Sequence, residues 1–144
     1  MSPQFLLGSY DHNLDDKSRA IIPASYRPAL GNKFYLTKSL RATEKHLSLY
    51  PEVEYEKLVT ELEAAARKKR ELQWPLRDFY RYALEVEMDT QGRITIPGLH
   101  REFAGCRKRV VFVGRQTHAE LWDAEAFEEG QREAVGDLAD YLGQ

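Results

Sequence analysis

Residues 15–23 read DDKSRAIIP, and residues 89–97 read DTQGRITIP. The offset is 89 − 15 = 74 in a chain of 144 residues, so the motif returns after about half the length. Asp15 answers to Asp89, Arg19 to Arg93, Ile22 to Ile96 and Pro23 to Pro97. Arg27 and Arg101, beyond each proline, fall at the same offset. Internal repetition constrains architecture before any single residue does. Each half is too small to bury a core alone, so the two copies are expected to pack on each other about a pseudo-twofold axis.

The order of elements repeats as well. In the first half, QFLLGSY and HNL read as short strands around a turn, and RAIIP as a short strand closed by Pro23, which cannot donate to a sheet ladder. PASYRPAL reads as one or two helical turns ending at Gly31, KFYLT as a strand, and HLSLYP as an alternating strand ending at Pro51. A helix follows, with Glu52, Glu54 and Glu56 in its first turn and Tyr55, Leu58, Val59, Leu62 and Ala66 at helical spacing. The second half gives YALEVEM as a strand, or a helix end running into one, the short strand RITIP, the short helix PGLHREFAG closed by Gly105, and the strands RVVFVG and AELWD. Asp123 caps a closing helix in which Phe127 takes the place of Tyr55. Between the copies, Pro75 is expected to break or kink a helical segment whose second part carries Leu76, Phe79, Tyr80 and Ala83. The reading is an α+β chain of two tandem β half-domains plus helices, residues 1–83 with the helical hairpin and 84–144 with the closing helix.

Charge narrows the function only slightly. The chain is −2 overall, but residues 119–144 hold eight acids and one base, a net of −7, which leaves +5 for the rest. A mildly basic body is compatible with nucleic acid. No apolar run approaches the roughly 20 residues of a membrane span. The start, MSPQFLLGSYDHN, lacks a basic region ahead of a long apolar run and reads as no secretory signal. The single cysteine, Cys106, excludes an internal disulfide framework and suits a reducing compartment.

The repeated stretch has its own chemistry. DTQGR reads as a tight turn in which Gly92 supplies positive φ and Asp89 bonds backbone amides, leaving Arg93 at the head of a strand. The first copy has Ser18 at the glycine position, where positive φ costs more, so that turn is expected to be strained or differently shaped. The plainer reading is that each Asp pairs with its Arg to hold a turn. The sharper one is that two symmetry-related turns present two arginines to a twofold-like partner, since the planar guanidinium binds phosphates and guanine edges bidentately. Both can hold at once. Lys17, Arg27, Arg101 and Lys38 would extend such a basic face.

Nothing in the sequence assembles into a catalytic set. His12, His46, His100 and His118 are scattered without metal-ligand spacing, and Gly-rich phosphate loops and nucleophile motifs are absent. The histidines read as surface or packing residues, the ARKKR run at 66–70 as a solvated helix face, and Trp74 and Trp122 as core or interface anchors. An enzyme and an antitoxin or purely structural assembly module are the competing classes.

The stretches LGSYDHNLDDKSRAIIPASYR, EMDTQGRITIP and VFVGRQTHAELWD resemble the MraZ family of bacterial transcriptional regulators, within the AbrB-like, swapped-hairpin, double-psi-like DNA-binding superfamily. The resemblance runs from about Phe5 to Phe127 and includes both D-x-x-x-R motifs; the family's usual glycine is replaced at Ser18. It implies two fused AbrB-like half-domains and a ring-shaped homo-oligomer. It also implies binding to closely spaced direct repeats in double-stranded promoter DNA of the division and cell-wall gene cluster, often with repression. Arg19, Arg93, Lys17, Arg27 and Arg101 would then be the DNA-contacting residues, and Asp15 and Asp89 the residues that orient the turns. No cofactor, metal or small-molecule substrate is expected, and the implied location is cytoplasmic and nucleoid-associated.

Overall fold

Six strands form one antiparallel sheet whose order is a palindrome of the two sequence copies. A computed structural model describes residues 4–143. Met1–Pro3, part of the start read as lacking a secretory signal, lie outside the described residues, as does Gln144. The strands are β1 (Ser9–Asn13), β2 (Arg19–Ile21), β3 (Lys33–Lys38), β4 (Leu47–Pro51), β5 (Leu84–Glu87), β6 (Arg93–Thr95), β7 (Arg109–Gly114) and β8 (Ala119–Asp123). The helices are α1 (Arg27–Leu30), α2 (Glu52–Lys68), α3 (Gln73–Tyr82), α4 (Gly98–Ala104), α5 (Ala124–Glu133) and α6 (Leu138–Tyr141).

The large sheet runs β1-β7-β8-β4-β3-β5, and β2 pairs with β6 in a separate two-stranded ribbon. The first strand of each copy leaves its own half. β1 pairs with β7 of the second copy, and β5 pairs with β3 of the first. The copies are joined again at the centre by β4 and β8, where Ser48 lies opposite Glu120. The halves are therefore interlocked by strand exchange. The 83/84 division falls between α3 and β5 and separates sequence copies whose strands share one sheet.

The core lies between the sheet and the ribbon. Ala20, Ile22, Ile94 and Ile96 from the ribbon and its continuations pack with Leu36, Leu47, Leu49, Phe112 and Leu121 from the sheet. Alternation explains this division, because residues two apart in a strand share a face. Burying a side chain of this size contributes about 1.5–3 kcal/mol, so a three-residue strand such as RAI is held by its neighbours in the core and not by its own length. β4 departs from the alternation expected of HLSLYP: Leu47 through Tyr50 are all buried. One face meets the core, and helix α2 packs against β4 and β3, with Tyr55 of α2 stacked on Tyr35 of β3 at 4.0 Å.

Two local expectations are corrected. QFLLGSY and HNL do not form a pair of strands around a turn. β1 is one continuous strand, and Leu6 makes only a single bridge to Gln116. Gly8, at φ +85°, separates the two. The helical segment breaks before Pro75, not at it. α2 ends at Lys68, the backbone of Lys69 is extended, and α3 begins at Gln73. Pro75 therefore sits in the first turn of α3, where the missing N–H has no intrahelical role. Trp74 is 75% exposed and so is not a core anchor in this chain. Trp122 is half-buried, tilted over His46 and donating Nε1–H to Glu120 at 2.9 Å.

Candidate functional site

The two motifs meet at the ribbon. β2 and β6 pair antiparallel, with Arg19 opposite Thr95, Ala20 opposite Ile94 and Ile21 opposite Arg93. The ladder continues at both ends, where Ile22 N–H donates to Gly92 O and Ile96 N–H to Ser18 O, each at 2.9 Å. Residues opposite one another share a face, so Ala20 and Ile94 point into the core. Arg19, Ile21, Arg93 and Thr95 occupy the other face, on which the two arginines lie diagonally across the ribbon.

Each arginine leaves a turn built by its aspartate. In the first, Asp15 Oδ1 accepts the N–H groups of Lys17 and Arg19 at 2.9 Å, and Asp15 Oδ2 accepts Arg19 Nε–H at 2.7 Å. In the second, Asp89 Oδ1 accepts from the N–H groups of Gln91 and Arg93 at 2.9 Å, and Oδ2 from Arg93 Nε–H at 2.8 Å. The backbone closes each turn identically, Ser18 N–H to Asp15 O and Gly92 N–H to Asp89 O. The backbone amides of Arg19 and Arg93, followed by the guanidinium contacts, hold both carboxyls below the usual aspartate value, so both are charged at neutral pH. Only Nε of each arginine is engaged. Among the described residues the Nη donors of Arg19 and Arg93 have no protein partner, so each pair holds its guanidinium without covering the outer fork.

Ser18 does not change the shape of the first turn. It adopts φ +59°, and Gly92 adopts φ +78°. The strain that serine brings is accepted locally, because the surrounding bonds match those of the glycine turn. In the second turn the same exchange would displace Arg27 from Ile22 O. A side-chain carbon at Gly92 would come within 2.3 Å of Arg27 Nη2.

Arg27 and Arg101 occupy equivalent places behind the ribbon. Arg27 donates Nε–H and Nη2–H to Ile22 O at 3.1 and 2.9 Å, and Arg101 donates Nε–H to Ile96 O at 3.1 Å. Both are half-buried, so they brace the strand ends, and their contribution to an outer face is secondary to that. Lys17 is exposed at the tip of the first turn. Lys38 does not join this face. It pairs with Asp78 of α3 and stands over the Tyr82 and Phe103 rings. It is also at the far end of β3 from Asn32, the residue that bonds the second turn's approach, about 20 Å along the strand.

Ile21 and Thr95 belong to the outer ribbon face but carry no charge to mark them, and only the register reveals them. Ile21 is 43% exposed, and His12 Nε2 accepts its N–H at 3.2 Å. Elsewhere the histidines pack: His46 and His100 are buried, and His118 stacks on Tyr50. Among the described residues no group of three or more His, Cys, Asp or Glu could hold a metal ion, and no helix is long and apolar enough to cross a membrane. Arg67–Arg70 are exposed, as a solvated helix end.

The family described as "MraZ protein, putative antitoxin-like" matches residues 5–74 and 79–138. Among curated relatives, the protein named transcriptional regulator MraZ from Thermoanaerobacter sp. (strain X514) is 40% identical over 124 residues, 86% of this chain and 85% of the relative. The protein of that name from Moorella thermoacetica (strain ATCC 39073 / JCM 9320) is 39% identical over 127 residues, 88% of this chain and 87% of its own length. The one from Mycobacterium sp. (strain KMS) is 38% identical over 126 residues, 88% and 86% respectively.

Proposed function

The chain belongs to the MraZ family, and from that premise we propose that it is a DNA-binding transcriptional regulator that reads double-stranded promoter DNA with the outer face of its β2–β6 ribbon. The observation that carries this is the pair of aspartate-held guanidiniums, Arg19 and Arg93, placed diagonally on that face with their Nη forks free of partners among the described residues. A two-stranded ribbon fits the major groove. Arginine held at Nε can still present two parallel N–H donors to guanine O6 and N7 or to a phosphate. The aspartates reduce the rotamer freedom that each arginine would lose on binding. Ile21 and Thr95, between the arginines, offer apolar contact to thymine methyls.

In this reading the DNA sites are closely spaced direct repeats in the promoter of the division and cell-wall gene cluster, and the effect is repression. Copies of the chain assemble into a ring, so several ribbons engage several repeats together and weak single contacts add through avidity. The helical hairpin around Pro75 supplies the contact between copies. Arg19 and Arg93 contact DNA, with Lys17, Arg27 and Arg101 supporting the positive face and Asp15 and Asp89 orienting the turns. The protein works in the cytoplasm on the nucleoid, without cofactor or catalysis.

The experiment is a gel shift with the DNA upstream of the chain's own coding sequence. The reading expects a discrete complex that survives excess non-specific competitor. A smear that competitor removes would contradict it. The family's antitoxin-like description favours one other reading, an antitoxin on the same fold. That protein would copurify with a partner toxin in stoichiometric amount.

A further inference from the structure

We infer that the two turns of one subunit are unequal on DNA, because a basic loop at Arg107 and Lys108 flanks the Asp15 turn and, among the described residues, nothing equivalent flanks the Asp89 turn. This rests on the regulator reading and adds residues and a polarity to it.

The placement follows from the strand exchange. The residue just before each aspartate bonds the entry to the strand that its own strand pairs with. Leu14 N–H donates to Lys108 O at 2.8 Å, and Met88 N–H donates to Asn32 O at 3.1 Å. Lys108 and Asn32 are therefore the same structural position, each one residue from a motif aspartate across the ladder. The next positions also correspond, since Arg109 lies opposite Asn13 and Lys33 opposite Glu87, the same place in the two copies, and each is engaged, Arg109 with Glu128 and Lys33 with Glu85. The second copy carries two more residues between its helix-ending glycine and its strand, Gly105 to Arg109 against Gly31 to Lys33. That extension brings in Arg107.

The charges near the two turns then differ. Beside the Asp15 turn, Arg107 and Lys108 are exposed and, among the described residues, have no ion-pair partner. Beside the Asp89 turn, Asn32 donates to Glu87 Oε1 at 3.0 Å, and Glu85 and Glu87 both line the edge strand. Their counterparts in β1 are Asp11 and Asn13. Within the turns Lys17 is offset by Asp16, where the second copy has the neutral Thr90 and Gln91. Asp123 and Glu125 lie beside the basic loop, and Asp123 is already engaged as the cap of α5, accepting Ala126 N–H at 3.1 Å. The loop is still the only surface beside either turn, among the described residues, that presents two unpaired cations.

Two cations next to a base-reading turn are positioned for the phosphates that border the groove it enters. The Asp15 turn then supplies most of the salt-dependent affinity, and the Asp89 turn relies on its arginine alone. Each subunit therefore has a direction on DNA, which suits direct repeats better than palindromes: a subunit with two equivalent turns would bind either way round.

The test is a salt titration of binding to the upstream DNA with Arg107→Gln/Lys108→Gln and, separately, Asn32→Lys, which places a cation at the equivalent position of the other flank. The inference expects the slope of log K against log salt to fall by about 0.9 for each lost contact per engaged subunit in the first variant, and to rise by about 0.9 in the second. Melting temperature and oligomer mass serve as controls; if the double variant does not fold, Asn32→Lys decides the matter. Wild-type affinity and slope in both variants, with specific binding intact in the parent, would overturn this inference and leave the regulator reading standing. Absence of a specific complex in the parent would overturn both.

Discussion

Ala20 lies directly opposite Ile94 in the β2–β6 ribbon, and the two are the same position of the two sequence copies, 74 residues apart. The pseudo-twofold axis therefore passes between them. Ser48 and Glu120, opposite one another where β4 meets β8, mark its other end. Both side chains of the first pair are buried, Ala20 completely and Ile94 to 3% exposure. Their packing sets the register that puts Arg19 and Arg93 together on the outer face. A one-residue slip of either strand would turn its arginine toward the core.

The glycine and serine of the two turns are not interchangeable. Ser18→Gly should be neutral to stabilising by up to about 1 kcal/mol, because it relieves a left-handed serine against a larger unfolded-state entropy. Gly92→Ser should destabilise by at least about 1–2 kcal/mol, since it adds left-handed strain and displaces the Arg27 guanidinium from Ile22 O. Thermal melts of the two variants should shift in opposite directions, or the first not at all.

Asp15→Asn and Asp89→Asn should each lower the melting temperature and weaken DNA binding together, because the same carboxylate caps two amides and holds the arginine. Loss of binding at unchanged stability would show that the carboxylate acts on DNA recognition without building the turn.

Acid should weaken the fold in two separate steps. Burial lowers the basicity of His100, against the partial opposition of the Tyr82 carbonyl at 2.7 Å from Nε2, and burial likewise lowers that of His118. Among the described residues His100 Nδ1 is buried with no hydrogen-bond partner, so a second proton there would find no acceptor. For a depressed histidine the unfolded chain takes up the proton first. Stability is therefore full above the unfolded value near 6.5 and falls as pH drops below it. The depressed carboxyls of Asp15 and Asp89 add a second loss only below the ordinary aspartate range, near 4. Denaturant midpoints measured from pH 8 to 3 should show both steps, and His100→Gln should reduce the upper one.

Part of this was legible in the sequence, and the reasons are local. Gly92, Pro97 and Gly105 punctuate the second copy where their backbone chemistry demands, and Ser18 keeps the first turn recognisable because its bonds to Asp15 are backbone bonds. Strand exchange was implied by the resemblance to a swapped-hairpin superfamily but was not legible in the residues themselves. Alternation identifies β1 and β5 as strands but says nothing of the partner, and β1 chooses β7 because of contacts 100 residues away. Arg27 and Arg101 matched at the repeat offset and so read as surface cations, but their length lets them reach back to Ile22 and Ile96 carbonyls. Arg107 and Lys108 were passed over because they fall between the helix closed by Gly105 and the strand RVVFVG, and only the Leu14 bond brings the loop to the first turn.

The helical hairpin should mediate assembly. Leu40, 55% exposed, lines an apolar hollow of about 460 Å³ with Leu62, Leu72, Leu76 and Phe103, and Trp74 of the hairpin is 75% exposed. Trp74→Glu with Leu40→Glu should leave the chain folded, since neither side chain is buried, and should reduce the mass seen by light scattering toward one subunit. An unchanged oligomer would place the contact elsewhere, and a monomeric parent at micromolar concentration would remove assembly from the account.

The central claim is that the ribbon's outer face reads DNA through its two aspartate-held arginines, and Arg19→Ala/Arg93→Ala tests it most directly. Both arginines are partly exposed, and exposed ion pairs contribute only about 0–1 kcal/mol, so folding and oligomer mass should survive. Each single variant should lose about 1–3 kcal/mol of binding with relaxed preference at one base if it touches a base edge. It should instead lose affinity for all sequences alike, with a shallower salt slope, if it touches phosphate. The quantity to measure is affinity for the upstream DNA as a function of salt, in the folded and oligomeric double variant. The account predicts no specific complex. Wild-type affinity and salt dependence would contradict it and leave Asp15–Arg19 and Asp89–Arg93 as ion pairs that only hold their turns.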